Sequence, residues 1–265
     1  MNTFCDPQHP APQWQWQTVA GQPYLICELL ADWPHGFFTQ QFYPTPPETL
    51  SQQLAPEAIA YRVKQVHGNV ALTPSAIAAH PGAELPQADA VVTEAPQQSA
   101  WVASADCTPV LIGDVVTGRV AAIHSGWRGT AQRIVPQTIA QLLERGSQLQ
   151  NLRLAMGPAI QGQVYQVGEQ VGQEVARSMI ADPEPNIDYF QQAMMLDEPA
   201  LFLDDHPGRV RLDVRRVIAR QLQDMGVSPQ DVTIAPCCTY QQPDYFFSYR
   251  RTKEKKVQWS GIVGQ

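Results

Sequence analysis

The sequence predicts an α/β (α+β) domain built in layers, and three observations carry that reading. Short runs rich in Val, Ala and Ile recur between residues 60 and 125, punctuated by Gly, Pro and Asp, as strands ended by turns should be. Amphipathic helical spacing follows over residues 131–144 and 169–179. The two types mingle without strict βαβ alternation, internal repeat, low-complexity block or linker, so one layered domain accounts for them.

Residues 1–22 carry Pro10, Pro12 and the alternation Trp14-Gln15-Trp16-Gln17, and read as an irregular arm running into an edge strand; residues 23–265 read as the single domain. Tyr24–Leu29 is expected as a buried strand. Pro44, Pro46 and Pro47 mark a loop into a short helix near Glu48–Leu54, because proline is tolerated in a first helical turn. Tyr61–Val66, Ala88–Thr93, Trp101–Ala105, Val110–Gly113 and Val120–His124 are the next strands. A helix over Ala131–Glu144 places Ile134, Ile139, Leu142 and Leu143 on one face, with Gly146 as its stop. Leu152–Met156 is a strand, and Glu169–Met179 a helix with Val171, Val175 and Met179 four apart. Asp182–Pro207 reads as loop with a short helix before Leu203. Asp213 is placed to cap a helix over Val214–Met225, ended by Gly226. Val232–Ala235 and Val257–Trp259 close the chain as strands.

Composition excludes several classes. With 265 residues, 44% hydrophobic and 16% charged, the chain buries a substantial core and is not a disordered polymer. The net charge of −7 argues against a nucleic-acid partner, since phosphate backbones demand a surplus of Lys and Arg. Apolar stretches such as Ala88–Thr93 fall far short of the roughly 20 residues that cross a bilayer. Five cysteines, an odd number without a C-x-x-C pair, point to reduced thiols rather than a disulfide scaffold. Residues 1–5 lack a basic segment followed by an apolar one, so a soluble, cytoplasmic protein is expected.

Three segments carry the candidate chemistry: Gln65-Val66-His67-Gly68, Ala105-Asp106-Cys107-Thr108-Pro109 and Ile123-His124-Ser125-Gly126-Trp127-Arg128-Gly129. Each reads as an apolar strand ending in a ligand or nucleophile and a Gly or Pro turn. Strand ends hold functional groups rigidly while loops expose them. Three such ends in one sheet would gather His67, Cys107 and His124, a donor set suited to Zn²⁺ or copper with one coordination position open. Taken singly, each residue also has a bland reading, a buried small thiol or a hydrogen-bonded histidine. A Cys–His hydrolase, with Cys107 as nucleophile and His124 or His67 as base, is the alternative from the residues alone. Asp106 either orients a histidine or caps a turn.

Together the segments KQVHG, DAVVT, ADCTPVLI and HSGWRGT closely resemble the YfiH or laccase-domain family, also described as polyphenol oxidases and as purine nucleoside phosphorylases. Gly157-Pro158-Ala159-Ile160, Tyr165-Gln166-Val167-Gly168, Cys238-Thr239 and Phe246-Phe247-Ser248-Tyr249-Arg250-Arg251 extend the likeness from about residue 35 to 255. The resemblance implies a layered α/β sandwich of mixed β-sheets over residues 23–265. It also implies one Zn²⁺ or Cu²⁺ on His67, Cys107 and His124, which serve as the catalytic centre too. The implied activity is phosphorolysis of adenosine, inosine and methylthioadenosine, with adenosine deamination beside it. Its partners would be a purine nucleoside and phosphate, in a monomer or homodimer. A copper-dependent polyphenol oxidase, or a metal-binding regulatory or envelope-associated protein with vestigial catalysis, are the alternatives.

The residues meet these demands unequally. Arg128 can present a bidentate fork to phosphate, or else stack near Trp127 or pair with a carboxylate. Arg250 and Arg251 are further cationic candidates, and Asp106 is a candidate for substrate contact. Gly126 and Gly129 allow close approach of a ligand. Deamination needs a proton-shuttling carboxylate, and zinc deaminases use a Glu, yet none lies in the three motifs. Six histidines without an H-x-H pair do not furnish a multicopper cluster. His80 and His206 read as surface residues, and Cys237 and Cys238 as packing. Gln40 and the proline-rich loop depart from the family pattern after Thr39, which points to altered substrate contacts.

Overall fold

In a computed structural model the described part of the chain is residues 13–265, preceded by the backbone of Cys5–Asp6 paired with His9–Pro10. Expectations for Cys5 and the rest of the arm fall outside the described side chains. Two six-stranded sheets lie face to face. The central one runs in the order Val232–Ile234, Leu152–Met156, Thr108–Asp114, Val120–Ser125, Ala90–Val92, Ala71–Leu72. It is mixed: antiparallel in the middle and parallel at both edges. The second runs Trp14–Val19, Gln22–Cys27, His35–Phe38, Gln258–Val263, Gln98–Ser104, Ile59–Tyr61. Trp14–Val19 is its edge, as expected.

Side chains alternate along the central strands and so supply two cores. Val110, Ile112 and Ile123 pack against Ile134, Ile139, Leu142, Val217 and Leu222 of the helices Ile134–Glu144 and Val214–Asp224. Leu111, Ala122 and Val91 point the other way, against Leu25, Phe37, Val102 and Ile262 of the second sheet. Both faces of the central sheet are covered, which is why its strands read as unbroken apolar runs. A three-stranded sheet, Gln166–Gly168, Arg209–Leu212 and Leu201–Leu203, completes the domain.

Three expectations need correction. The helix expected over 131–144 is two, Trp127–Ala131 and Ile134–Glu144. Arg133 breaks it with φ +58°, its guanidinium donating to the Ser178 carbonyl at 2.6 Å. The strand expected over Tyr61–Val66 stops at Tyr61. Beyond it the Gln65 side chain takes over the ladder, donating to Ala103 O at 2.8 Å and accepting from Ala103 N at 2.7 Å. Finally, Cys27, Cys107 and Cys238 are free thiols, but Cys237 is disulfide-bonded; an odd count excludes complete pairing and leaves room for one bond.

His35 locks the second sheet. Its Nδ1 donates to Trp33 O and its Nε2 accepts from Cys27 N, both at 2.8 Å, so only the neutral ring fits. Burial holds its pKa below the ordinary value, against the Trp33 hydrogen bond. A base depressed in the folded state binds fewer protons than in the unfolded chain, so stability falls as pH drops below about 6.5. Urea unfolding should show this loss, up to about 1.4 kcal/mol per pH unit from this group, and His35→Gln should flatten it; equal slopes for the two proteins would refute the assignment.

Candidate active site

The register of the central sheet sets the site. Pro109 pairs with His124 and Thr108 with Ser125, so Cys107, one residue earlier, lies opposite Gly126. The three expected residues do converge: one ligand atom from each of His67, Cys107 and His124 lies within 4.8 Å of the others. The two imidazole rings stand 4.8 Å apart and nearly perpendicular, at 84°. They do not sit on three strand ends of one sheet. His124 lies inside Val120–Ser125, Cys107 on the crossing from the second sheet to the central one, and His67 in a loop.

Asp89 builds that loop, and the sequence reading passed over it. Fully buried just before Ala90–Val92, its carboxylate accepts from the backbone N–H of Val66 (3.2 Å), His67 (2.9 Å) and Gly68 (2.7 Å). It also accepts from Nδ1 of His124 at 2.9 Å. A carboxylate is acceptor-only, so Nδ1 carries a proton and Nε2 is the nitrogen turned to the cluster. His67 is held at φ +61° by the same contacts. Burial pushes the Asp89 carboxyl up, but the bonds from His124, Gly68 and Val66 outweigh it and keep it below the usual range. The signal was present in the sequence as an acidic residue opening the apolar run DAVV.

Cys107 and His124 form a charge pair. Burial raises the thiol, yet the charge and hydrogen bonds of His124 and His67 draw it down to about 6. Burial likewise lowers His124, and the Cys107 and Asp89 charges reverse this and lift it to about 9. A thiolate beside two imidazoles is a fitting donor set for Zn²⁺ or copper, and the hydrogen bond to Asp89 supplies the outer partner that such histidines usually have. The glycines permit close approaches within the chain. A Cβ at Gly126 would lie 2.8 Å from Cys107 Sγ and 3.3 Å from His67 Cδ2, and one at Gly129 would lie 2.9 Å from Gly68 O. They let these segments of the chain approach one another.

The cluster opens on a cavity of about 580 Å³ lined by Trp127, Tyr165, Tyr249 and Trp259, and by Arg128, Arg250, Lys255 and Lys256. Two carboxylates, Asp106 and Glu254, share the lining. Exposed Arg128 stacks on Trp127, 4.5 Å from the ring centroid, and among the described residues no carboxylate pairs with it. Arg250 lies 4.8 Å over the Tyr165 ring, with Nη1 donating to Gln166 O at 2.8 Å. Asp106, at φ +91°, accepts from Thr239 Oγ1 and from the Arg250 amide, both at 2.7 Å. Its carboxylate holds the Arg250 segment and also lines the cavity, where a substrate contact was expected. Arg251 is tied to the carbonyls of Thr239, Tyr240 and Phe246. It braces the loop and does not line the cavity. His80 and His206 are exposed as expected, and Cys238 packs away from the cavity.

Fold and cluster together define a layered α/β protein with, among the described residues, one His–Cys–His cluster. Over residues 48–263 the chain matches the family described as multi-copper polyphenol oxidoreductase laccase, and it belongs to that family. It is 52% identical to a purine nucleoside phosphorylase of Synechocystis over 94% of this chain and 97% of the relative. It is 33% identical to one of Streptomyces coelicolor, over 72% and 69% of the two chains. Among solved structures it resembles YlmD from Geobacillus stearothermophilus with a TM-score of 0.76 at 23% identity, covering 94% of this chain and 98% of that one. Bacillus licheniformis YfiH gives 0.73 at 22%, covering 94% and 99%. Both establish the fold. No helix among the described residues is long and apolar enough to cross a membrane.

Two substitutions test this geometry. Asp89→Asn leaves the imidazole and three amides competing for one carbonyl oxygen, and should weaken zinc affinity about 10–100-fold in a chelator competition; unchanged affinity would remove Asp89 from the site. Gly126→Ala should cost about 1–3 kcal/mol in urea unfolding through overpacking and displace the Cys107 sulfur, reducing metal uptake; a stable variant with full uptake would contradict the close approach.

Proposed function

We propose that the protein is a cytoplasmic purine nucleoside phosphorylase, acting on adenosine, inosine and methylthioadenosine to release the free base and (methylthio)ribose 1-phosphate. The observation that carries this reading is the cavity, where aromatic rings and guanidinium groups surround one thiol–imidazole cluster. The name of the 52% identical relative supports it. A nucleoside needs flat apolar surface for its base, and phosphate needs fixed donors; the lining offers both in a volume suited to a small ligand.

His67, Cys107 and His124 are the residues that would hold one Zn²⁺ or Cu²⁺ ion. Such an ion, when bound, supplies Lewis-acid polarisation of an oxygen. Arg128 and Arg250 bind phosphate: stacking on Trp127 and Tyr165 fixes each guanidinium plane and leaves in-plane N–H groups for a bidentate contact. Asp106 positions Arg250 through its backbone amide. Cationic groups in the lining outnumber carboxylates and reverse locally the net charge of −7. Both reactants are thus held in one place, which removes much of the entropic cost of their encounter.

For adenosine deamination as a side activity, Glu254 is the glutamate in the lining, remote in sequence from the three motifs. A second reading, copper-dependent oxidation of phenols, rests on the family description. The one cluster found among the described residues offers three ligands, a mononuclear set.

Purified protein given inosine and phosphate should yield hypoxanthine and ribose 1-phosphate in equal amounts. Loss of a supporting partner alone costs about 10–100-fold, so Cys107→Ala should lower turnover more than about 100-fold. Hypoxanthine release that continues without phosphate would exclude phosphorolysis.

A further inference from the structure

Tyr165 stands in the cavity wall with no task in the reaction beyond supporting Arg250. It lies between the short turn Gly162–Val164 and the strand Gln166–Gly168, and its carbonyl accepts from Leu212 N at 3.0 Å, which pins its backbone. The Arg250 guanidinium covers the ring at 4.8 Å and is itself tethered to the next residue, Gln166, at 2.8 Å. Ring and cation are therefore fixed as one unit. The phenol hydroxyl projects from the ring edge, and among the described residues it has no hydrogen-bond partner.

Its surroundings say what it would meet. Burial, the Cys107 thiolate and the Asp106 carboxylate push the phenol up, and Arg250 and Arg128 pull it down, leaving it at about 12. The hydroxyl remains a neutral O–H donor across the working range. Both guanidinium groups named for phosphate are close enough to bias it, and all three line the same cavity. A ligand atom that Arg128 and Arg250 reach together is best an anionic oxygen, which accepts from N–H and O–H alike; a neutral purine nitrogen gains less from the two guanidinium groups.

We propose that Tyr165 is a phosphate-binding residue, its hydroxyl donating to an oxygen of the anion that Arg128 and Arg250 hold. The inference deepens the phosphorylase reading and rests on it for the reaction, though the binding event needs no nucleoside. It enlarges the anion site from two charges to two charges and one neutral donor. The neutral donor adds a third directed hydrogen bond to those of the two guanidinium groups.

Tyr165→Phe keeps the ring and its stacking and removes only the hydroxyl. Equilibrium dialysis with radiolabelled inorganic phosphate should show Kd rising about tenfold or more, while the thermal midpoint stays with wild type. In turnover, KM for phosphate should rise by the same factor, kcat should change little, and the effect should be equal for inosine and 7-methylguanosine. Unchanged phosphate affinity overturns the proposal. So does a loss confined to kcat with inosine that spares 7-methylguanosine, whose cationic base departs without a donor; the hydroxyl would then serve the leaving base. Dialysis contains no nucleoside, so tyrosine-dependent phosphate binding in a protein that leaves inosine intact would refute the reaction and keep the site.

Discussion

A single buried carboxylate organises this molecule's chemistry. Asp89 is removed from water entirely, a state tolerable for a charge only when every lone pair finds a donor. Three consecutive amides and one imidazole supply those donors. In meeting that need the chain gives up the strand that residues 62–66 would otherwise form and bends the loop of Val66, His67 and Gly68 around the carboxylate. The same group orients His124 and decides which of its nitrogens faces the cluster. His124 N also donates to Asp89 O at 2.7 Å, so backbone and side chain are fixed to the same residue.

The remaining ligand depends on register. Because Pro109 faces His124 across the ladder, a slip of one residue would turn His124 to the other face of the sheet. Cys107 meets the two imidazoles only because Gly126 has no Cβ to fill the space beside its sulfur. Packing on both faces of the central sheet holds that register. The layered core thus performs a positional task as well as a stabilising one, and the cavity over the cluster lies where the loops leave the two sheets.

Much of this was legible in the sequence and some was not, for physical reasons. Leu152–Met156 and the helix capped by Asp213 match their expected positions because local signals and tertiary packing agree there. His67, Cys107 and His124 were found because imidazoles and thiols at turn-flanked positions are rare enough to notice. Asp89 escaped because an acidic residue before a strand is ordinary until its partners are seen, and those lie 21 to 35 positions away. Gln65 imitates a strand backbone with its side chain, and Arg133 adopts a left-handed turn that serves Ser178; neither is written in periodicity. Tyr165 was visible as part of a motif, but its role depends on Arg250, 85 positions further on.

The net charge of −7 argues against a phosphate backbone as partner but says nothing of the cavity, where cations dominate and a thiolate is stabilised against burial. The central claim is that His67, Cys107 and His124 form one metal centre, held in shape by Asp89. X-ray absorption at the zinc edge, on protein loaded with one equivalent of Zn²⁺, tests it most directly. The account predicts one sulfur at about 2.3 Å and two imidazole nitrogens at about 2.0–2.1 Å. A first shell of oxygen and nitrogen without sulfur would contradict it.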